Sequence, residues 1–171
     1  MYLKSLLLTL FSSVFFTAMS QTENNSIPAV DIQNLNGTTF NTSDLKNDGN
    51  PIIINFWATW CSPCKRELNN ITEMYDMWVE ETGVKLVAVS IDDTRNIAKV
   101  APYVNGKGWE YDVYLDPNGD FKRALGVNNV PHTFLVDGNG QIVWQHNSYS
   151  EGDEYELFEL VQKLADGETI E

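Results

Sequence analysis

Apolar residues fall along this chain in two rhythms. Short, dense runs at residues 51–57, 84–91 and 133–136 read as strands, the first of them buried and the second dense in valine. Elsewhere the spacing is helical. Leu68, Ile71, Tyr75 and Trp78, with Met74 and Val79 widening the stripe, predict a main helix over residues 62–81 that stops at Gly83. Tyr155, Leu157, Phe158, Leu160, Val161 and Leu164 supply the apolar side of a closing helix over residues 153–165. A Met and aromatic stripe of this kind is core material, so no cofactor is assigned to it.

Turn residues connect these blocks. Residues 27–35 and 38–40 are expected to pair as a hairpin around Asn36-Gly37, and Asn41-Thr42-Ser43-Asp44 to cap a short helical turn. The runs at 51–57 and 84–91, joined by the main helix, make a parallel pair with a right-handed crossover. After the loop and cap Asp92-Asp93-Thr94, a helix is expected from Arg95 to Val104, kinked or restarted at Pro102 and ended by Gly106-Lys107-Gly108. A strand over 111–115 leads through the acidic turn 116–120 into a helix ending at Leu125. That turn reads as structural, because Phe121 and Val127 stand where a calcium loop needs glycine and a bidentate acid. Asp137-Gly138-Asn139-Gly140 then joins 134–136 to 141–145 as an antiparallel hairpin. The sum is an α/β domain with a central mixed sheet flanked by helices.

Length and composition agree with one domain: 171 residues, 43% of them hydrophobic. Residues 1–20 differ from the rest, with Lys4 their only charge, an apolar stretch from Leu6 to Phe16, and small residues at Ala18-Met19-Ser20. They read as a secretory signal cleaved before Gln21, leaving 21–171 as the mature chain. The apolar run, broken by Thr9, Ser12 and Ser13, is short for a spanning anchor. The formal net charge of −13 becomes −14 once Lys4 is removed. Such acidity disfavours nucleic acid and anionic membranes as partners. Much of it sits on Glu151, Asp153, Glu154, Glu156 and Glu159, which read as a solvated helix face.

The chemistry gathers in residues 55–65, Asn-Phe-Trp-Ala-Thr-Trp-Cys-Ser-Pro-Cys-Lys, where a buried strand turns into the main helix. Both cysteines of the chain, Cys61 and Cys64, fall in the first turn of that helix. There unpaired N–H groups and the positive end of the macrodipole favour a thiolate. Lowering a thiol pKa from about 8.5 to about 7 raises its ionised fraction at neutrality from a few per cent to roughly half. That is worth about 2 kcal/mol, near the upper limit for a helix dipole. Cys61, at the exposed helix entrance, is the expected nucleophile, and Cys64 the resolving thiol. Structural zinc needs four ligands, and His132 and His146 are not spaced as a second pair. No metal or organic cofactor is called for. A purely structural bridge would close almost no loop. An exported dithiol meets an oxidising compartment, so it needs either a reducing partner or an oxidant role.

Trp-Cys-Ser-Pro-Cys-Lys after an apolar strand resembles the thioredoxin superfamily. Asn-Phe-Trp-Ala-Thr-Trp-Cys with Glu67 after Cys64 is similar to its extracytoplasmic TlpA/ResA-like branch, over roughly residues 27–166. The resemblance implies a thioredoxin-like fold with an amino-terminal hairpin extension, and a cis bond at Val130-Pro131 lying against the cysteines. It implies that the Val130 backbone pairs with an incoming peptide, and that Trp60, Ser62, Pro63 and Val130 face the substrate. It further implies a protein or peptide disulfide as substrate, recharging by a membrane electron-donor protein, and in the cytochrome c maturation systems an apocytochrome partner. Asn55 stands where thioredoxin has an aspartate and cannot do acid-base work. Glu67, sharing a helix face with Cys64, matches the branch's glutamate and is expected to manage the Cys64 proton rather than serve as a solvated dipole partner. His132 replaces the small hydroxyl residue expected after Pro131; it either tunes the thiols or, by strand alternation, points away. His146 reads as an ordinary surface residue. The alternatives are a peroxiredoxin-like peroxidase and a non-catalytic peptide-binding or chaperone module.

Overall fold

The computed structural model describes residues 25–170, so the expected signal at 1–20 lies outside the described residues. In chain order the elements are β1 (Asp31–Asn34), β2 (Thr39–Asn41), β3 (Ile52–Trp57), α1 (Ser62–Thr82), β4 (Lys85–Ser90), α2 (Val100–Lys107), β5 (Asp112–Leu115), α3 (Asp120–Ala124), β6 (His132–Val136), β7 (Ile142–Asn147) and α4 (Asp153–Ala165). The described strands form one mixed sheet in the order β2-β1-β5-β4-β3-β6-β7. β3 and β4 are parallel, as are β4 and β5, while β6 runs antiparallel to β3. Strands pair with β3 on both edges and helices cover both of its faces, which is why every one of its residues is buried. The hairpin β1–β2 joins the sheet through β5.

Alternation along β3 divides the core. Ile53 and Trp57 face α1 and α4, where Leu68, Ile71, Trp78, Leu157 and Val161 close over them. Val100 and Val104 of α2 join the same cluster. Trp78 stacks on Phe158 with ring centroids 4.9 Å apart, tying α1 to α4. Ile52, Ile54 and Phe56 point the other way, onto Phe121 of α3, Phe134 and Val136. Among the described residues, no helix is long and apolar enough to cross a membrane.

Several expectations are corrected. Val79 and Tyr155, counted as apolar-face residues, are 41% and 61% exposed. Glu154, expected on a solvated face, is buried at 4%. The second helix begins at Val100 after a short 3-10 turn, Ile97–Lys99. Pro102 therefore lies in the first turn of α2, where a missing N–H breaks no helical bond. Strand β1 starts only at Asp31; before it, Thr42 pins the chain by donating its hydroxyl to the Pro28 carbonyl (2.5 Å) and accepting the Val30 N–H (2.8 Å). The acidic turn caps α3: Asp116, 2% exposed, accepts the N–H groups of Asp120 (2.8 Å) and Lys122 (2.9 Å).

Candidate active site

β3 ends at Trp57 and the chain turns through Ala58, Thr59 and Trp60, with the Cys61 N–H donating to the Ala58 carbonyl (3.0 Å). Asp92, just past β4, grips this turn from the neighbouring strand. Its carboxylate is 1% exposed and accepts the Thr59 N–H (2.8 Å), the Thr59 hydroxyl (2.6 Å) and the Ser90 hydroxyl (2.8 Å). In the sequence Asp92 reads only as part of a loop and cap.

Cys61 is the N-cap of α1, with an extended backbone, and its Sγ accepts the Cys64 N–H (3.2 Å). The two sulfurs are joined as a disulfide. Cys64 is 0% exposed and Cys61 only 5%, so the helix entrance is more covered than expected, although Cys61 remains the outer sulfur. Trp60 stands 60% exposed beside it; Ser62 is exposed and Pro63 half-buried. The Lys65 ammonium lies 5.6 Å from the Tyr103 ring centroid.

The Val130-Pro131 bond is cis. Half-buried Val130 packs against the cluster that contains both cysteines, and the Pro131 carbonyl accepts the Ser148 N–H (3.0 Å). His132 points to the opposite face of the sheet: it stacks on Phe134 at 4.5 Å and its Nε2 lies 3.0 Å from Gln145 Oε1. Burial holds its proton affinity below the usual histidine range. A cationic imidazole against the sulfurs is therefore not the arrangement here.

The residue after it faces the cysteine side. Thr133, opposite Asn55 in the β3–β6 register, accepts from Asn55 Nδ2 (2.8 Å) and donates to Glu67 Oε1 (2.8 Å). Glu67 is 5% exposed, not a solvated dipole partner. Burial is the largest influence on its carboxyl and pushes it up to about 7 from 4.5, against the opposing hydrogen bonds of Thr133 and Asn55 and with support from Asp153 and Glu154. Asn55 does no proton chemistry itself but anchors the hydroxyl that does meet Glu67.

One helical turn on, Asn70 donates to the Tyr149 hydroxyl (2.6 Å), which donates to Glu154 Oε2 (2.7 Å); the Gly152 N–H also reaches Glu154 Oε2 (3.0 Å). Thr133, Asp92, Tyr149 and Glu154 were all missed from the sequence. The available signal was a polar residue inside an apolar strand, Asn55 in one and Thr133 in another. Among the described residues, no group of three or more His, Cys, Asp or Glu side chains is arranged to hold a metal.

Comparison with known proteins points the same way. The family model described as AhpC/TSA family matches residues 24–145. Thiol-disulfide oxidoreductase ResA of Bacillus anthracis is 32% identical over 137 residues, covering 80% of this chain and 76% of the relative. ResA of Bacillus subtilis (strain 168) is 31% identical over 135 residues, covering 79% and 73%. A thioredoxin-like protein from Porphyromonas gingivalis, solved in solution, is 53% identical with a TM-score of 0.74 over 82% of this chain and 92% of that one. A candidate thiol:disulfide interchange protein DsbE from Chlorobium tepidum is 26% identical with a TM-score of 0.68, covering 83% and 96%.

Proposed function

This chain belongs to the AhpC/TSA family of thioredoxin-like proteins and is a thiol-disulfide oxidoreductase; from that premise we propose that it works as a reductase of protein disulfides outside the cytoplasm. The observation that carries the reading is the sulfur pair at the start of α1, with Cys61 capping the helix as the outer sulfur and Cys64 fully buried behind it.

In the dithiol form the Cys61 thiolate, stabilised by the helix start, attacks one sulfur of a substrate disulfide. A mixed disulfide forms and one substrate thiolate leaves. Cys64 then gives its proton to Glu67 and attacks the Cys61 sulfur, releasing the second substrate thiolate and leaving Cys61 joined to Cys64. Two electrons have passed from the cysteine pair to the substrate. A carboxyl poised at about 7 is matched to this task, because it can both accept and return a proton near neutrality. Trp60, Ser62, Pro63 and Val130 form the substrate-facing surface, with the Val130 backbone pairing to an extended peptide and Pro131 beside the sulfurs.

A membrane electron-donor protein returns the disulfide to the dithiol, and an apocytochrome is one substrate. Residues 1–20 direct export and are removed before Gln21, leaving 21–171 as the working domain. The test is trapping in the native envelope with Cys64→Ser, which stalls the cycle at the mixed disulfide. The expected result is a reductant-sensitive adduct on Cys61 with a cysteine-containing protein, absent from a Cys61→Ser control. Equal yields from both variants, or peroxide consumption matching thiol oxidation in the unmutated protein, would overturn the reading.

A further inference from the structure

The proposed chemistry loads and unloads a proton at a carboxyl that is 5% exposed, so that proton needs a route to water. Strand register supplies one. Asn55, Thr133 and His146 are directly opposed on β3, β6 and β7. Opposed residues of antiparallel strands share a face, with Cβ atoms about 4.5–5.5 Å apart. That face is the one under α1, because Asn55 donates to Thr133 and Thr133 donates to Glu67 Oε1. His146 is thus one strand outward from the hydroxyl that holds Glu67.

The surroundings of His146 suit a terminus. Its ring is stacked on Trp144 at 5.7 Å, and its Nε2 lies 3.5 Å from Asp153 Oδ2 at the start of α4. The side chains of His146 and Asp153 are 42% and 33% exposed. Glu67 Oε2, by contrast, is buried with no hydrogen-bond partner among the described residues, so it is open to take up a proton that a turn of the carboxyl brings round to Thr133. The other groups facing Glu67 are Cys64 on its own helix, Tyr111 ahead of β5, Tyr149 ahead of α4, and Asp153 and Glu154 on α4. Tyr149 and Glu154 are bound to each other and buried, and burial makes the Tyr111 hydroxyl a poorer acid than usual. Imidazole is the side chain suited to shuttling protons near neutrality.

We infer that His146, oriented by Asp153, is the solvent-side end of a proton path that serves Glu67 across the Thr133 position. The inference rests on the acid-base role proposed for Glu67. The Cys64 thiol transfers its proton to the Glu67 carboxylate as the sulfur attacks Cys61 and the substrate thiolate departs. Glu67 passes that proton, across the Thr133 hydroxyl or one bridging water, to His146, which releases it to solvent, where the departed thiolate takes it up. No electrons move along the path.

Single-turnover oxidation of the reduced full-length protein by a peptide disulfide, in dilute buffer around neutrality, tests it. His146→Gln should slow the resolving step about tenfold, a modest share of the usual acid-base contribution, and free imidazole added to the buffer should restore the rate. Asp153→Asn should give a smaller loss, also relieved by imidazole. Glu67→Gln should be slower and indifferent to imidazole, because the lesion then lies inward of the path. A His146→Gln rate equal to the unmutated one, or slowed with no imidazole response, overturns the path while leaving the Glu67 role intact. An unaltered Glu67→Gln rate removes that role itself, and the two failures are therefore distinguishable.

Discussion

Glu67 occupies a place where a negative charge is poorly tolerated, and this has a consequence for stability apart from catalysis. The folded protein binds the Glu67 proton more tightly than the unfolded chain does, since burial moves the carboxyl from 4.5 to about 7. Below about pH 4.5 the group is protonated in both states, and its contribution is fully retained. As pH rises through about 7 that contribution is lost, levelling off at on the order of 3 kcal/mol. Glu67→Gln removes the titration, so urea unfolding of the oxidised protein at pH 5 and pH 8 should show a smaller fall for the variant than for the unmutated chain. Parallel falls would mean that the carboxyl is not buried in solution. Thr133→Val tests the partner. It strips a hydrogen bond that favours the charged carboxylate and orphans the Asn55 amide, so the Glu67 titration should move upward in the pH profile of disulfide exchange. Stability should drop by about 1–3 kcal/mol, and Thr133→Ser should restore both. The helix spacing and the family resemblance made Glu67 legible in the sequence. Its hydroxyl partner was not, because Thr133 is 66 residues away and only strand register brings the two together.

The element that matters most is the strand, turn and helix unit β3–α1, and its exactness depends on a neighbour. Removing the Asp92 carboxylate would leave the half-buried Thr59 N–H and hydroxyl and the buried Ser90 hydroxyl without their acceptor. Asp92→Ala should destabilise by about 2–4 kcal/mol, and a redox titration against glutathione should show a shifted midpoint because the turn carrying Cys61 is loosened. A stable variant with an unshifted midpoint would show that the turn holds itself. At the far end of the sheet, a Cβ on Gly138 would stand 1.9 Å from the Gly49 carbonyl oxygen, a backbone atom that cannot rotate away. Gly138→Ala should therefore cost more than about 2 kcal/mol while leaving the redox midpoint alone. Strands buried on both faces, such as β3 and β4, were legible because a continuous apolar run leaves little other choice. The closing helix was also plain, and α4 runs over the expected residues 153–165. Periodicity says which residues share a helix face but not how much of that face a neighbour covers. That is why Val79 and Tyr155 emerged on the surface, and why Glu154 went inside once Tyr149 and the Gly152 amide could satisfy it.

Across the whole molecule the dominant fact is charge. A formal net charge of −13 sets a field that repels acidic disulfides and attracts basic ones. Two cations, Lys65 and Arg66, follow Cys64 directly in sequence and oppose that field at short range. The two ranges can be separated by salt, because the screening length is about 30 Å at 0.01 M and about 8 Å at 0.15 M. At low ionic strength the entire acidic surface acts at the sulfur mouth, so the reduced protein should react faster with cystamine, which is dicationic, than with oxidised glutathione, which is dianionic. The preference should reach about tenfold or more after correction for the intrinsic reactivities of the two disulfides. At 0.15 M only charges near the mouth still count, and the preference should shrink towards unity or reverse under Lys65 and Arg66. Arg66→Glu should then restore the preference for cystamine at 0.15 M and raise the low-salt ratio as well, because a charge beside the mouth acts at both ionic strengths. A preference that ignores salt would mean the long-range field does not reach the sulfurs. If it declines with salt as described, the field selects among protein substrates as well, favouring disulfides set in basic surroundings over acidic ones of equal intrinsic reactivity.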